Sequence, residues 1–65
     1  MRIDLNGAST VTDAGTLAVL LDEQGFDAAS VATALDGLFV ARSARAATVL
    51  RDGAKVEVLS PMQGG

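Results

Sequence analysis

Residues 1–12 read MRIDLNGASTVT and predict the β-hairpin on which the rest of the fold is built. Apolar and polar residues alternate over positions 1–6, as in a strand with one face buried. Asn6 and Gly7 follow, and both tolerate the positive φ that the central residues of a tight hairpin turn require. The β-branched residues within 9–12 then predict the antiparallel return strand.

A short helix is predicted after this hairpin. Thr16 is a suitable N-cap, and the leucines from position 17 onward recur at the i, i+3, i+4 spacing of one helix face. Gly25 predicts the helix end, with Phe26 contacting Leu21 as in a Schellman motif. Because so short a helix is unstable alone, we expect it to lie across a sheet.

A second hairpin is indicated by two apolar segments, 31–35 and 38–41, that flank the turn dipeptide Asp36-Gly37. Small and charged residues follow over 42–48 without a clear period, which predicts an irregular loop or a short helical turn.

The last strand and its continuation form the C-terminal part of the chain. Residues 55–60 read KVEVLS and alternate cleanly, with Val56 and Val58 facing inward. Pro61 has no backbone donor and ends the strand. The residues 61–65, PMQGG, show no periodicity and predict a flexible tail.

The order β-β-α-β-β-β predicts an α+β protein with a ubiquitin-like β-grasp fold. We expect a mixed sheet of four to five strands with one main helix packed across it, formed by residues 1–60 and followed by the tail at 61–65. The first and last strands can lie side by side at the centre, so the tail should leave from the middle of the sheet.

Composition argues against an independent enzyme. The chain has 65 residues with no Cys and no His, so it lacks a thiolate nucleophile, the commonest general base and the usual metal ligands. The net charge of −3 disfavours nucleic acid as a partner. The longest apolar run is too short to span a membrane, and we expect a cytoplasmic protein.

Four of the five basic residues lie in the C-terminal half, and we interpret them as part of a solvated face, with partner docking as the alternative. They are Arg42, Arg45, Arg51 and Lys55.

The candidate reactive group is the C-terminal carboxylate of Gly65, preceded by Gly64. A carboxylate becomes electrophilic once a partner enzyme converts it with ATP to an acyl-adenylate, which a persulfide or sulfide can attack. Glycine lacks Cβ, so Gly64 and Gly65 can enter a narrow active-site channel. This chemistry requires no Cys, His or metal in the carrier.

Six segments carry a family resemblance over nearly the whole chain. They are 1–7 (MRIDLNG), 16–21 (TLAVLL), 31–37 (VATALDG), 40–43 (VARS), 50–58 (LRDGAKVEV) and 63–65 (QGG). In these segments the chain resembles the ThiS sulfur carrier proteins of thiamine biosynthesis, within the MoaD/ThiS superfamily. It departs from the family at Ala41, where Pro is frequent, at Ala54, where Asp is usual, and near Ala46 or Ala47, where a Trp is common.

The resemblance implies a protein co-substrate rather than an enzyme. It implies that an E1-like adenylyltransferase of the ThiF type activates Gly65, that a cysteine desulfurase or another source supplies sulfur, and that a thiazole synthase of the ThiG type receives it. The ATP and the sulfur donor are used by the partners, and the carrier itself binds no cofactor.

Three alternatives remain open from the sequence. The chain could be a MoaD-like carrier or a carrier for another sulfur pathway, although MoaD-like chains are usually longer. It could be a ubiquitin-like modifier that forms amide conjugates through Gly65, or an interaction domain with an inert tail.

The predicted docking contact for the activating enzyme is Leu59 together with Met62. Leu59 lies on the face of the last strand opposite Val56 and Val58. The alternative is that Leu59 belongs to the rim of the core.

Overall fold

A computed structural model describes residues 1–61 of the chain. It contains five strands, one α-helix and one 3₁₀ helix. In chain order these are β1 (Arg2–Leu5), β2 (Ala8–Val11), α1 (Leu17–Glu23), β3 (Ala32–Leu35), β4 (Leu38–Val40), the 3₁₀ helix (Arg42–Ala47) and β5 (Lys55–Leu59).

The five strands form one mixed sheet in the order β2-β1-β5-β3-β4. The strands β1 and β5 run parallel, and the three other neighbouring pairs are antiparallel. The last strand therefore lies at the centre, next to the first, as the sequence predicted. With one main helix, this is the predicted β-grasp fold.

Both hairpins turn through the predicted dipeptides. Asn6 and Gly7 have φ angles of 52° and 84°, and Asp36 and Gly37 have φ angles of 50° and 83°. Two consecutive residues with positive φ give a turn whose twist matches that of the flanking strands. The turn residues thus fix the register of both hairpins.

The helix α1 begins and ends as its sequence predicts. The Thr16 hydroxyl accepts a hydrogen bond from the Val19 N–H at 3.3 Å, which caps the first turn. At the other end the Phe26 N–H donates to the Leu21 carbonyl at 2.9 Å, and the Gly25 N–H donates to the Asp22 carbonyl at 3.1 Å. These two bonds form the Schellman motif, with Gly25 at φ 78°.

The core lies between one face of the sheet and α1. Leu17, Leu20 and Leu21 of the helix are at most 1% exposed, and they pack with the inward residues of the central strands, Val56 and Val58 among them. The α1 leucines and the β5 valines thus form the core that the helical and alternating patterns predicted.

The longest helix in residues 1–61 has seven residues, and no helix there could cross a membrane.

The prediction that the basic residues lie on a solvent-exposed face is wrong for Arg45. The segment 42–48, predicted as a loop or helical turn, forms the 3₁₀ helix, and Arg45 in it is only 4% exposed. Its guanidinium points inward because two carbonyl oxygens and one hydroxyl lie within hydrogen-bonding distance there. These acceptors belong to distant parts of the sequence, so no local pattern reveals them.

Replacing Leu20 with Ala should lower the free energy of unfolding by about 2 to 5 kcal/mol, because the side chain is fully buried and its loss leaves a cavity. That is a large share of the roughly 3 to 10 kcal/mol expected for a domain of this size. Val19→Ala is the control: Val19 is 52% exposed on the same helix, and its replacement should change stability by about 0.5 kcal/mol or less. Equal losses in urea unfolding would contradict the assignment of the buried helix face.

Candidate functional site

The candidate site begins where β5 leaves the sheet. This strand ends at Leu59 in the middle of the sheet, and Ser60 and Pro61 continue the chain beyond it. The predicted reactive residue Gly65 lies outside the described residues, as do Gly64 and Met62. The described residues therefore define the base of the tail and the surfaces around that base.

The side chain of Asn6 extends the pairing of β5 toward the tail. The parallel β1–β5 register pairs Asp4 with Lys55 and Leu5 with Val56, after which β1 turns away. At that point the Asn6 amide donates to the Val58 carbonyl at 3.1 Å and accepts from the Val58 N–H at 2.8 Å. The side-chain amide thus replaces a neighbouring peptide group, and β5 stays hydrogen-bonded on this side as far as Val58.

The other hairpin turn holds the opposite end of β5. The Asp36 carboxylate accepts from the Lys55 N–H at 2.9 Å, and the Asp36 N–H donates to the Lys55 carbonyl at 2.8 Å. The antiparallel register with β3 then runs from Val56 to Leu59. The strand that leads to the tail is thus hydrogen-bonded from Lys55 to Leu59 on the β3 side and as far as Val58 on the β1 side.

An open groove lies beside the base of the tail. Its volume is about 420 Å³, and two segments line it. One is Ala29, Ser30, Val31 and Ala32 at the start of β3, and the other is Leu59, Ser60 and Pro61 at the end of β5.

The predicted docking residue Leu59 is 64% exposed at this groove, on the sheet face turned away from α1. The register places three further apolar residues on the same face. Ala32 pairs with Leu59, and Ala34 lies between Phe39, which is 74% exposed, and Glu57, which is a charged neighbour on the same face. We call Ala32, Ala34, Phe39 and Leu59 the open apolar face.

Sequence reasoning missed several members of this site. Phe39 was assigned to a strand without a side, although its spacing from the inward Val40 could have indicated an outward direction. The sequence places Asn6 on the polar face of the first strand and in the hairpin turn, and it does not reveal the contact of this side chain with Val58. Ala46 and Ala47, predicted to lie near the place of a family Trp, are exposed, and Arg45 occupies the inward position of this segment.

The ThiS family model matches residues 3–65, which is nearly the entire chain and includes Gly64 and Gly65. The chain belongs to the ThiS family.

Two solved structures are similar to this ThiS-family chain, and both come from Geobacter metallireducens. The first is a crystal structure of the thiamine biosynthesis protein ThiS, with 33% sequence identity, a TM-score of 0.84 and full coverage of both chains. The second is a solution NMR structure of a thiamine biosynthesis protein, with 32% identity and a TM-score of 0.82, covering 100% of this chain and 88% of that one. Comparison with curated proteins gives no match.

Asn6→Asp should weaken the end of β5 in this ThiS-family chain. Asp tolerates the positive φ of this turn position as Asn does, but its carboxylate cannot donate to the Val58 carbonyl and places a negative charge against it. The loss in unfolding free energy should be about 1 to 3 kcal/mol, with faster hydrogen exchange at the Val58 amide.

The reciprocal change Asp36→Asn is the matched control. An Asn at this position keeps an oxygen that accepts from the Lys55 N–H, so we expect a loss of about 0.5 kcal/mol or less. If Asn6→Asp were as stable as the original chain at neutral pH, the assigned role of the Asn6 amide would be wrong.

Proposed function

We propose that this chain is a sulfur carrier whose C-terminal Gly65 carboxylate is adenylated and converted to a thiocarboxylate, which donates sulfur for thiazole formation in thiamine biosynthesis. The observation that carries the proposal is the family match through Gly65, on a chain whose last strand is the central strand of the sheet. The names of the two similar structures support thiamine biosynthesis as the pathway.

The reaction proceeds in two steps at the terminal carbonyl carbon. A carboxylate oxygen of Gly65 attacks the α-phosphorus of ATP, pyrophosphate leaves, and an acyl-adenylate forms. A sulfur nucleophile then attacks the carbonyl carbon and AMP leaves with the electron pair of the broken C–O bond. Sulfide gives the thiocarboxylate directly, whereas a persulfide gives an acyl disulfide that a thiol reductant must cleave.

In this scheme the carrier positions the reacting carboxylate of Gly65 and does not catalyse the reaction. It has no Cys and no His, and the attacking and leaving groups belong to the partners and to ATP. The five residues from Pro61 to Gly65 can span at most about 17 Å. The activating enzyme must therefore hold its adenylation site within that distance of Ser60, the residue that follows β5, which requires docking close to the tail.

The surface proposed for this docking is the exposed Leu59 with the rest of the open apolar face, and Met62 as a further contact. Exposed apolar residues such as Leu59 and Phe39, on the sheet whose central strand leads to Gly65, offer an enzyme a contact within reach of its active site. The proposed partners are an E1-like adenylyltransferase of the ThiF type, a cysteine desulfurase or another sulfur source, and a thiazole synthase of the ThiG type. All of them would meet the carrier in the cytoplasm.

Intact-mass spectrometry tests the proposed reaction. The chain incubated with a ThiF-type enzyme, ATP, a cysteine desulfurase and cysteine should exchange one oxygen for sulfur. Deleting Gly65, or appending one residue after it, should abolish the exchange and leave urea unfolding unchanged, because the last strand of the sheet ends at Leu59, six residues before the change. Amide conjugates to lysines would indicate a modifier instead, and an unchanged mass of the original chain would contradict the proposal.

Transfer to the acceptor tests the pathway separately. The thiocarboxylated chain should lose its sulfur when a ThiG-type thiazole synthase and its substrates are added. A thiocarboxylate that forms but is not consumed there would contradict thiazole formation and place the carrier in another sulfur pathway.

Leu59→Ala should raise the KM for the chain in adenylation by about 5- to 30-fold, which corresponds to the loss of 1 to 2 kcal/mol at a docking contact. Val11→Ala is the control, because Val11 is 67% exposed but lies on the edge strand β2, on the other side of β1 from the groove. A KM that rises equally for both variants, or for neither, would contradict the proposed docking surface.

A further inference from the structure

Arg45 is a buried cation that hydrogen-bonds to neutral oxygens. Its Nε donates to the Thr33 hydroxyl at 3.0 Å, while Nη1 donates to the Ala28 carbonyl at 2.8 Å and Nη2 to the Val31 carbonyl at 2.6 Å. Burying a guanidinium among neutral acceptors carries a desolvation cost that an apolar side chain of similar size would avoid. Arginine at this position must therefore have a role beyond packing, and its hydrogen bonds indicate which.

The hydrogen bonds of Arg45 connect separate parts of the chain. The Ala28 and Val31 carbonyls bracket the two residues Ala29 and Ser30, so the guanidinium holds both ends of this segment. The Thr33 hydroxyl that accepts from Arg45 donates in turn to the Val40 carbonyl at 2.8 Å. One planar group with several donors thus ties the segment before β3 to β3 itself and, through Thr33, to β4.

The turn that precedes β3 does not depend on Arg45 for its local shape. Asp27 closes it: its carbonyl accepts from the Ser30 N–H at 2.9 Å, and its carboxylate accepts from the Ala29 N–H at 3.2 Å and the Ser30 hydroxyl at 2.8 Å. Arg45 instead sets where this closed turn lies relative to the sheet.

That turn forms one wall of the groove at the base of the tail. Ala29, Ser30 and Val31 line it together with Leu59 and Pro61. We propose that Arg45 is a positioning residue for activation: by fixing this wall beside the end of β5, it holds the docking groove in the shape that the activating enzyme meets. This inference rests on the proposed function and adds to it a specific residue that does not itself line the groove.

The variant Arg45→Met tests the proposal, with Arg42→Met as its control. Arg42 lies in the same 3₁₀ helix but is exposed, so the control removes an equal charge from the same element. With a ThiF-type enzyme and ATP, Arg45→Met should raise the KM for the chain about tenfold and leave kcat nearly unchanged. Hydrogen exchange should accelerate at the amides of residues 28–32, and Arg42→Met should change neither quantity.

A purely stabilising role for Arg45 predicts a different result. Measured well below the unfolding temperature, a folded Arg45→Met would then show the KM of the original chain, and this outcome overturns the proposal. Failure of the proposed function is distinct, because the original chain itself would then not be adenylated.

If Arg45→Met does not fold, Thr33→Val carries the test. It removes one acceptor of the guanidinium and keeps the shape of the side chain, so the KM should rise in the same direction by a smaller factor. An unchanged KM in a folded Thr33→Val would overturn the proposal in that case.

Discussion

The structure depends on the central position of β5, which has hydrogen-bonded strands on both sides. A terminal strand at a sheet edge can fray, whereas a central strand can leave the sheet only if two sets of bonds break. Here the first residue of each hairpin turn adds a side-chain contact, Asp36 at Lys55 and Asn6 at Val58. The two turns thus fasten both ends of the strand that leads to the tail.

This fastening matters because the core is small. The chain has 65 residues and no disulfide, and alanine accounts for 12 of its residues. The core holds three leucines of α1 against the sheet, together with Ala14, Leu50 and Ala54 from the loops, and side-chain hydrogen bonds order segments outside it. The buried Arg45 does so for the turn before β3, which no strand pairing holds.

Most of the fold could be predicted from the sequence because its signals are local. Asn6-Gly7, Asp36-Gly37 and Gly25 require positive φ, and the alternation of Val56 and Val58 shows which face of β5 is buried. The missed features are contacts between distant residues. Asn6 binds a residue 52 positions away, and Arg45 binds acceptors 12 to 17 positions away, so neither contact leaves a periodic pattern. The open apolar face likewise depends on strand order.

We propose that the reactive atom of this ThiS-family chain is its own last carbonyl carbon, presented from a strand that is hydrogen-bonded on both sides. Fragmentation of the sulfur-loaded chain by tandem mass spectrometry locates the added sulfur along the sequence. We expect the sulfur on the fragment that contains only Gly65. Sulfur on any fragment that lacks Gly65 would contradict it.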